Sequence, residues 1–203
     1  MTLCSHRYDP DMSYAPKRVS AGLVILVGPP AVGKSTFVQH LVQTGKISQE
    51  AVASTDAIRE ELARSSVVSA RDTSHAELVA DERDRQLLKT LAAGCTALAE
   101  STNVTRRARA RLVAIARQQC ITVTVLRFEQ SREVLFQQNA ERERRDVSDA
   151  VVGDLASIMD QEADRGQLYA DGAAWVHDVP GRGQGISAAE AAQLFAFNRF
   201  IRR

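Results

Sequence analysis

The octapeptide Gly28-Pro-Pro-Ala-Val-Gly-Lys-Ser35 is the most informative stretch of this chain. It fits the pattern G-x-x-x-x-G-K-[ST], in which a tight glycine-rich turn points its backbone N–H groups at phosphate oxygens. The pattern predicts that Lys34 reaches the β- and γ-phosphates of a nucleotide and that the Ser35 hydroxyl binds Mg²⁺. A helix starting here would direct its positive N-terminal end at the same phosphates. Residues 28–35 are called the phosphate loop below.

The residues on either side of the phosphate loop support this interpretation. Gly22–Val27 is a short apolar run, which is typical of a buried parallel strand. Thr36–Val42 has its apolar residues at helical spacing. A loop between a strand and a helix is the setting that a nucleotide site of this kind requires. The residues that we expect to bind the nucleotide are Gly28, Gly33, Lys34, Ser35 and Thr36.

Strands and helices alternate along the rest of the chain, which predicts an α/β fold with a parallel sheet and helices on both faces. Four more strands are predicted at Glu50–Ser54, Cys95–Glu100, Ile121–Phe128 and Ala173–Val179, making five in all. Helices are predicted at Ala57–Ala63, His75–Ala93, Thr105–Gln119, Ser131–Ala140, Ser148–Asp164 and Ala188–Ile201. We expect a flexible arm over residues 1–20 and one domain over residues 21–203.

The composition is ordinary for a globular protein, with 44% hydrophobic and 25% charged residues. A net charge of +1 gives no overall attraction to nucleic acid or to a membrane, although a local basic patch is compatible with it. The three cysteines are far apart and form no metal-binding pair, which indicates a reducing compartment. Since no stretch resembles a signal peptide or a membrane span, we expect a cytoplasmic protein without a membrane partner.

Asp56 and Arg59 follow the second predicted strand, at the edge of the sheet that carries the phosphate loop. A hydroxyl acceptor must lose a proton as it attacks the γ-phosphate, and the Asp56 carboxylate could accept that proton. Arg59 would share a helix face with Asp56 and could hold a substrate phosphate beside the reacting hydroxyl. The alternative is that Asp56 only caps the helix.

The segment Glu100–Asn103 follows the third predicted strand. Glu100 could orient Mg²⁺ beside Ser35. Thr102 and Asn103 could form hydrogen bonds with phosphate or acceptor groups. The alternative is a turn that ends the strand, with Asn103 in a left-handed conformation.

Arg142, Arg144 and Arg145 are clustered after a predicted helix, within residues 139–150, which suit a mobile lid. Negative charge spreads over the γ-phosphoryl oxygens during transfer, and an arginine supplied in cis can stabilise it. Arg142 and Arg145 could act together in this way. The alternative is a solvated run of mixed charges.

These motifs together resemble the polynucleotide 5′-hydroxyl kinase family of P-loop phosphotransferases, in its bacterial and phage forms, which has an AAA-type ATP-binding domain. The resemblance extends from about Gly22 to Asp160. Its motifs are Gly28–Thr36, Ser54–Arg59, Glu100–Asn103 with Arg106 and Arg109 behind it, and Asn139–Val147.

The resemblance implies a P-loop kinase fold with an arginine-bearing lid, ATP and Mg²⁺ as cofactors, and the 5′-hydroxyl end of DNA or RNA as acceptor. Asp56 would be the general base, and Arg59 would hold the phosphate 3′ to the acceptor ribose. Arg142 and Arg145 would bind the ATP phosphates from the lid. Glu100 stands where the family usually has aspartate. In related folds the loop after the fifth strand packs near the base, so Arg182 could stack on adenine or lie exposed.

The sequence is compatible with three functions. The first is the 5′-hydroxyl kinase, which Asp56 and Arg59 favour. The second is a kinase for a small-molecule hydroxyl on a nucleoside, sugar or antibiotic, which the near-neutral charge favours. The third is an ATPase or nucleotide-binding module. The basic helix predicted at Thr105–Gln119 is either a nucleic-acid contact or a solvated face.

Overall fold

The structure is a computed structural model that describes residues 16–64, 76–142 and 147–200. The strands are β1 Lys17–Val19, β2 Leu23–Val27, β3 Val52–Ser54, β4 Ala97–Glu100, β5 Val123–Phe128, β6 Trp175–Val179 and β7 Phe195–Phe197. The helices are α1 Lys34–Gln43, α2 Thr55–Arg64, α3 Ala76–Ala92, α4 Arg106–Gln118, α5 Arg132–Ala140, α6 Asp149–Glu162, α7 Arg165–Asp171 and α8 Ala188–Gln193. None of the helices in these three segments has the length and apolar composition needed to cross a bilayer.

Five strands form a parallel sheet in the order β3-β4-β2-β5-β6, which confirms the predicted α/β architecture. The aliphatic strand β2 lies at its centre and is buried along its whole length. Side chains alternate between the two faces of a strand, so β2 contributes Val24 and Leu26 to one core and Leu23, Ile25 and Val27 to the other. Helices cover both faces: α1, α5 and α8 pack on the first core, and α3 and α4 pack on the second.

The end of the chain differs from the prediction. The helix predicted to run to Ile201 ends at Gln193, and the strand β7 follows it. The ammonium of Lys46 donates hydrogen bonds to the carbonyls of Ala192, Gln193 and Phe195, at 2.8, 3.1 and 2.8 Å. Ala192 and Gln193 lie in the last turn of α8, where carbonyls lack helical partners, and Phe195 begins β7, so Lys46 stabilises the point at which the chain turns from α8 into β7.

The last residues of the predicted arm also have a defined structure. Lys17–Val19 forms β1, which pairs in parallel with β7 so that Lys17 lies opposite Phe195. Residues 1–15 of the predicted arm lie outside the described residues. Phe195 has an exposed fraction of 0% and packs edge-on against Phe37 of α1, with ring centroids 5.7 Å apart. The small β1–β7 sheet therefore fastens both ends of the described chain to the core beneath the phosphate loop.

The helix predicted over Ser148–Asp164 is observed as α6, and a further short helix, α7, follows it. Asp164 begins α7 with a capping box, because its carboxylate accepts from the N–H of Gln167 and the Gln167 side chain accepts from the N–H of Asp164. Helix α7 was not predicted from the sequence.

Replacing Phe195 by alanine tests whether the short strand β7 is part of the core. We expect Phe195→Ala to lower the free energy of unfolding by about 3–5 kcal/mol, because it leaves a cavity against Phe37. Phe200→Ala is the matched control, since Phe200 is 70% exposed, and it should change the stability by no more than about 0.5 kcal/mol. Equal effects of the two substitutions in chemical denaturation would contradict the packing described here.

Candidate active site

The backbone of the phosphate loop takes a conformation that suits its glycines. Gly33 has φ 94°, in the left-handed region, and is the N-cap residue of α1. Gly28 is packed so closely that an added Cβ would lie 2.8 Å from the carbonyl oxygen of Phe128. Ser35 and Thr36 are exposed in the first turn of α1, which contains no acidic residue. The N-terminal end of α1 is therefore left positive and open for an anion.

Lys34 is buried beneath this loop. Its Nζ donates hydrogen bonds to the carbonyl oxygens of Gly28, at 2.8 Å, and Pro29, at 2.7 Å. Burial lowers the pKa of Lys34 to about 8, although the carboxylates of Glu100 and Asp56 act to raise it; Arg142 adds to the lowering. All three side chains line the same cavity as Lys34.

A cavity of about 590 Å³ lies above the phosphate loop. It is lined by residues at or after the carboxyl ends of β2, β3, β4 and β6, and by residues of α5, α6 and the chain next to them. The predicted site residues that line it are Gly33, Lys34, Ser35, Thr36, Asp56, Arg59, Glu100, Thr102 and Arg142. The carboxyl ends of neighbouring parallel strands meet at one edge of a sheet, which explains why residues so distant in sequence come together.

Asp56 and Arg59 lie in the first two turns of α2 and face this cavity. Nη1 of Arg59 donates to Oδ1 of Asp56 at 2.6 Å, and the two side chains are 50% and 83% exposed. The backbone N–H of Ala57, in the first turn of α2, donates to the Ser54 hydroxyl, with 3.5 Å between the nitrogen and Oγ. In this structure Asp56 therefore pairs with Arg59, and it is Ser54 that approaches the capping position.

Glu100 is the last residue of β4 and lies opposite Ser54 of β3 in the sheet. Its carboxylate and the Ser35 hydroxyl line the same cavity. Mg²⁺ in nucleotide sites is usually held by one or two protein oxygens together with substrate phosphates, so these two side chains fit it. Among the described residues no group of three or more His, Cys, Asp or Glu could form a metal cage. A metal here would therefore depend on the nucleotide for most of its ligands.

The expectation that Asn103 contacts substrate is corrected by the structure. Asn103 is 2% exposed and does not line the cavity. Its Nδ2 donates to the carbonyl of Leu26 at 2.8 Å, and its φ of 47° is left-handed. The alternative of a turn that ends the strand is therefore the one observed. Thr102 does line the cavity, and its carbonyl accepts from the N–H of Gly28 at 2.9 Å.

The two ends of the predicted lid are held together by Asn139. Its Nδ2 donates to the carbonyl of Val147 at 3.0 Å and to Oδ1 of Asp149 at 2.8 Å. Arg142, at the near end, is exposed and faces the cavity. The predicted lid residue Arg145 lies outside the described residues. A role for the segment as a mobile lid therefore stays a prediction.

Arg182 lines the same cavity from a turn after β6. Its Nη1 donates to the Glu141 carboxylate, which lowers the pKa of Glu141. Arg182 and Gln138 also line a second cavity of about 470 Å³, which is bounded by Pro180, Gly181 and Ile186. The two cavities adjoin at these shared residues.

Arginines of the basic helix α4 are paired with carboxylates of this chain. Arg109 and Arg106 bond to Asp171, and Arg111 bonds to Asp81 and Asp84. These carboxylates lie in α3 and α7, far away in sequence, so the ion pairs could not be predicted from the sequence. They reduce the charge that α4 could offer to a nucleic-acid backbone.

The fold and the cavity define a P-loop, kinase-like nucleotide-binding domain. The chain belongs to the AAA domain family AAA_33, whose sequence pattern matches residues 23–167 and so covers more than half of the chain. No curated protein sequence matches the chain.

Several solved structures share the fold. The tunicamycin resistance protein of Deinococcus radiodurans has a TM-score of 0.56 and 13% identity, with 85% of this chain and 92% of that chain covered. A gluconokinase from Sinorhizobium meliloti 1021 has a TM-score of 0.54 and 14% identity, with 85% and 88% covered. A fungal RNA kinase has a TM-score of 0.50 and 11% identity, with 87% and 83% covered. At these identities the similarity establishes the fold and leaves the acceptor open.

The pKa of Lys34 predicts how ATP affinity depends on pH. Phosphates favour the charged form of Lys34. Below pH 8 the Lys34 amine already carries its proton, whereas above pH 8 it must take up a proton when ATP binds. We therefore expect Mg·ATP to bind about tenfold more weakly at pH 9 than at pH 7, in titration calorimetry. Lys34→Met should bind more weakly throughout and lose this dependence between pH 7 and pH 9. An affinity of the unsubstituted protein that does not change with pH would contradict the buried position of Lys34.

Proposed function

We propose that the protein is an ATP-dependent phosphotransferase that moves the γ-phosphate of ATP to a hydroxyl group. The observation that carries the proposal is that Asp56, Glu100 and Lys34 line one cavity. Both carboxylates partly oppose the lowering of the Lys34 pKa that burial causes. A nucleotide-binding module needs the lysine but has no use for a carboxylate such as Asp56 at the acceptor side of the cavity.

The reaction assigns a task to each side chain. The acceptor oxygen forms a bond to the γ-phosphorus while the bond from that phosphorus to the β–γ bridging oxygen breaks, and ADP leaves. Asp56 accepts the proton that the hydroxyl releases. Lys34, the N–H groups of the loop and Arg142 stabilise the charge on the phosphoryl oxygens. Mg²⁺, held by Ser35 and Glu100 together with the nucleotide, would neutralise charge on the β- and γ-oxygens.

Arg59 suggests which kind of acceptor the cavity takes. Its ion pair with Asp56 is exposed to solvent on both sides, and pairs of this kind contribute little stability. An acceptor phosphate could therefore replace Asp56 at the guanidinium, leaving the carboxylate free for the hydroxyl beside that phosphate. A hydroxyl with a phosphate close by is found at the 5′ end of a polynucleotide, which we propose as the acceptor.

A second candidate is a kinase that acts on the hydroxyl of a small molecule. The internal ion pairs of α4 favour it, since Arg106, Arg109 and Arg111 use their charges within the protein. A net charge of +1 agrees with this candidate. The two candidates differ in whether the acceptor must carry a phosphate beside its hydroxyl.

Replacing the carboxylate of Asp56 by an amide tests the transferase assignment. Asp56→Asn should lower transfer from γ-labelled ATP by about 10²-fold or more, because a general base contributes at least that much. Its affinity for Mg·ATP should stay close to that of the unsubstituted protein. Glu61→Gln is the matched control, as it makes the same change on an exposed face of α2 away from the cavity. Unchanged ATP turnover in Asp56→Asn would point instead to an ATPase or nucleotide-binding module.

A panel of acceptors tests the role of Arg59. The panel contains 5′-hydroxyl oligonucleotides, nucleosides with and without a 3′-phosphate, and uncharged sugars. Arg59→Ala should raise the KM of the phosphate-bearing acceptors by about tenfold or more, because it removes a charge-assisted hydrogen bond. Arg64→Ala, at the far end of α2, is the control and should leave every KM unchanged. Preferential transfer by the unsubstituted protein to uncharged sugars would favour the small-molecule kinase.

A further inference from the structure

Arg109 of α4 is a buried arginine with an unusual number of partners. It is 1% exposed, and its Nε donates to Oδ2 of Asp171 at 2.9 Å. Nη1 donates to the carbonyls of Asn103 and Val104, at 3.1 and 2.6 Å. Nη2 donates to the carbonyl of Glu162 and lies 2.7 Å from the Asp171 carboxylate. One guanidinium thus joins α7, the end of α6 and the segment that follows β4.

The segment that Arg109 holds is bonded in turn to the phosphate loop. The side chain of Asn103 donates to the carbonyl of Leu26 on β2. The neighbouring carbonyl of Thr102 accepts from the N–H of Gly28, the first residue of the phosphate loop. Hydrogen bonds joined through the backbone of Thr102 and Asn103 therefore lead from Asp171 through Arg109 to Gly28.

The backbone between these bonds turns at Asn103. Its φ of 47° is left-handed, a conformation that asparagine adopts more often than other non-glycine residues. Arg109 donates a hydrogen bond to the backbone carbonyl of Asn103, and the side-chain amide of Asn103 donates one to the carbonyl of Leu26. The residues just before it, Glu100 and Thr102, line the cavity. Their positions therefore depend on bonds made outside the cavity.

We propose that Arg109 is a positioning residue that sets the orientation of the Glu100–Thr102 segment and of Gly28 relative to the nucleotide phosphates. The proposal rests on the proposed function, since it takes Glu100 as a ligand of Mg²⁺. The hydrogen bonds of Arg109 go to residues outside the phosphate loop, and Arg109 does not line the cavity. It acts through the Asn103 and Val104 carbonyls, in the way that outer partners orient the ligands of a metal site.

The test is Arg109→Lys in the full-length protein. Lysine keeps the charge, but its three donors on one nitrogen cannot serve the Asp171 carboxylate, both carbonyls of the segment and the Glu162 carbonyl at once. We expect the affinity for Mg·ATP, or kcat, to fall about 10- to 100-fold, as for other outer-sphere positioning residues. Amide exchange at Gly28 should become faster, because its acceptor on Thr102 is less firmly held.

Arg83→Lys is the matched control. Arg83 is another buried arginine, 5% exposed, and its Nε and Nη2 both bond to Asp84 of the same helix. It does not line the cavity, so Arg83→Lys should lower stability without changing Mg·ATP affinity, kcat or exchange at Gly28. If Arg109→Lys behaves like Arg83→Lys in these measurements, Arg109 is only structural and the proposal is overturned.

A second variant covers the case in which Arg109→Lys does not fold. Asp171→Asn leaves Arg109 in place and removes its charged partner, which the exposed Arg106 shares, so faster exchange at Gly28 and weaker Mg·ATP binding are again expected. Unchanged exchange and affinity in this variant would overturn the proposal. If the unsubstituted protein binds Mg·ATP but transfers no phosphate, the proposed function fails, while affinity and exchange still decide the role of Arg109.

Discussion

The burial of the Lys34 ammonium is the constraint on which the rest of the site depends. A buried amine loses its hydration, so it must find oxygen partners inside the protein. In this structure it finds the carbonyls of Gly28 and Pro29, which closes the loop around it, and the nearby carboxylates Glu100 and Asp56 oppose the fall in its pKa. The same desolvation makes the lysine a strong partner for phosphate, because a charge in a poorly hydrated site attracts an anion more than it would in water.

Much of the fold and part of the site could be predicted from the sequence. The aliphatic run of β2 and the phosphate loop after it have a local signature, because a strand, a tight turn and a helix must follow one another there. The convergence of Asp56, Glu100 and Lys34 followed from topology, since each lies at the carboxyl end of a strand of one parallel sheet or in the segment that follows it. This prediction needed only the order of the strands and helices along the chain. It therefore holds even when the predicted ends of these elements are wrong by a few residues.

The features that could not be predicted depend on partners far away in sequence. The three-residue strands β1 and β7 are too short to have a periodic pattern, and they form because Phe195 fills a space beside Phe37. Arg109 looks like any other arginine of a basic helix until Asp171, 62 residues later, is placed against it. Asn103 illustrates the limit of a motif, since its residue type suits both a substrate contact and a left-handed turn, and only the position of Leu26 decides between them.

The most direct test of the proposed site is a crystal structure with a non-hydrolysable Mg·ATP analogue and a 5′-hydroxyl acceptor. It should show the acceptor oxygen within hydrogen-bonding distance of Asp56 and in line with the γ-phosphate. The nearest Asp56 oxygen should then lie about 6 Å or less from the γ-phosphorus, the sum of one hydrogen bond and one near-attack approach. An Asp56 carboxylate that stays paired with Arg59 and points away from the phosphates, with no acceptor oxygen between them, would contradict the assignment of a phosphotransferase.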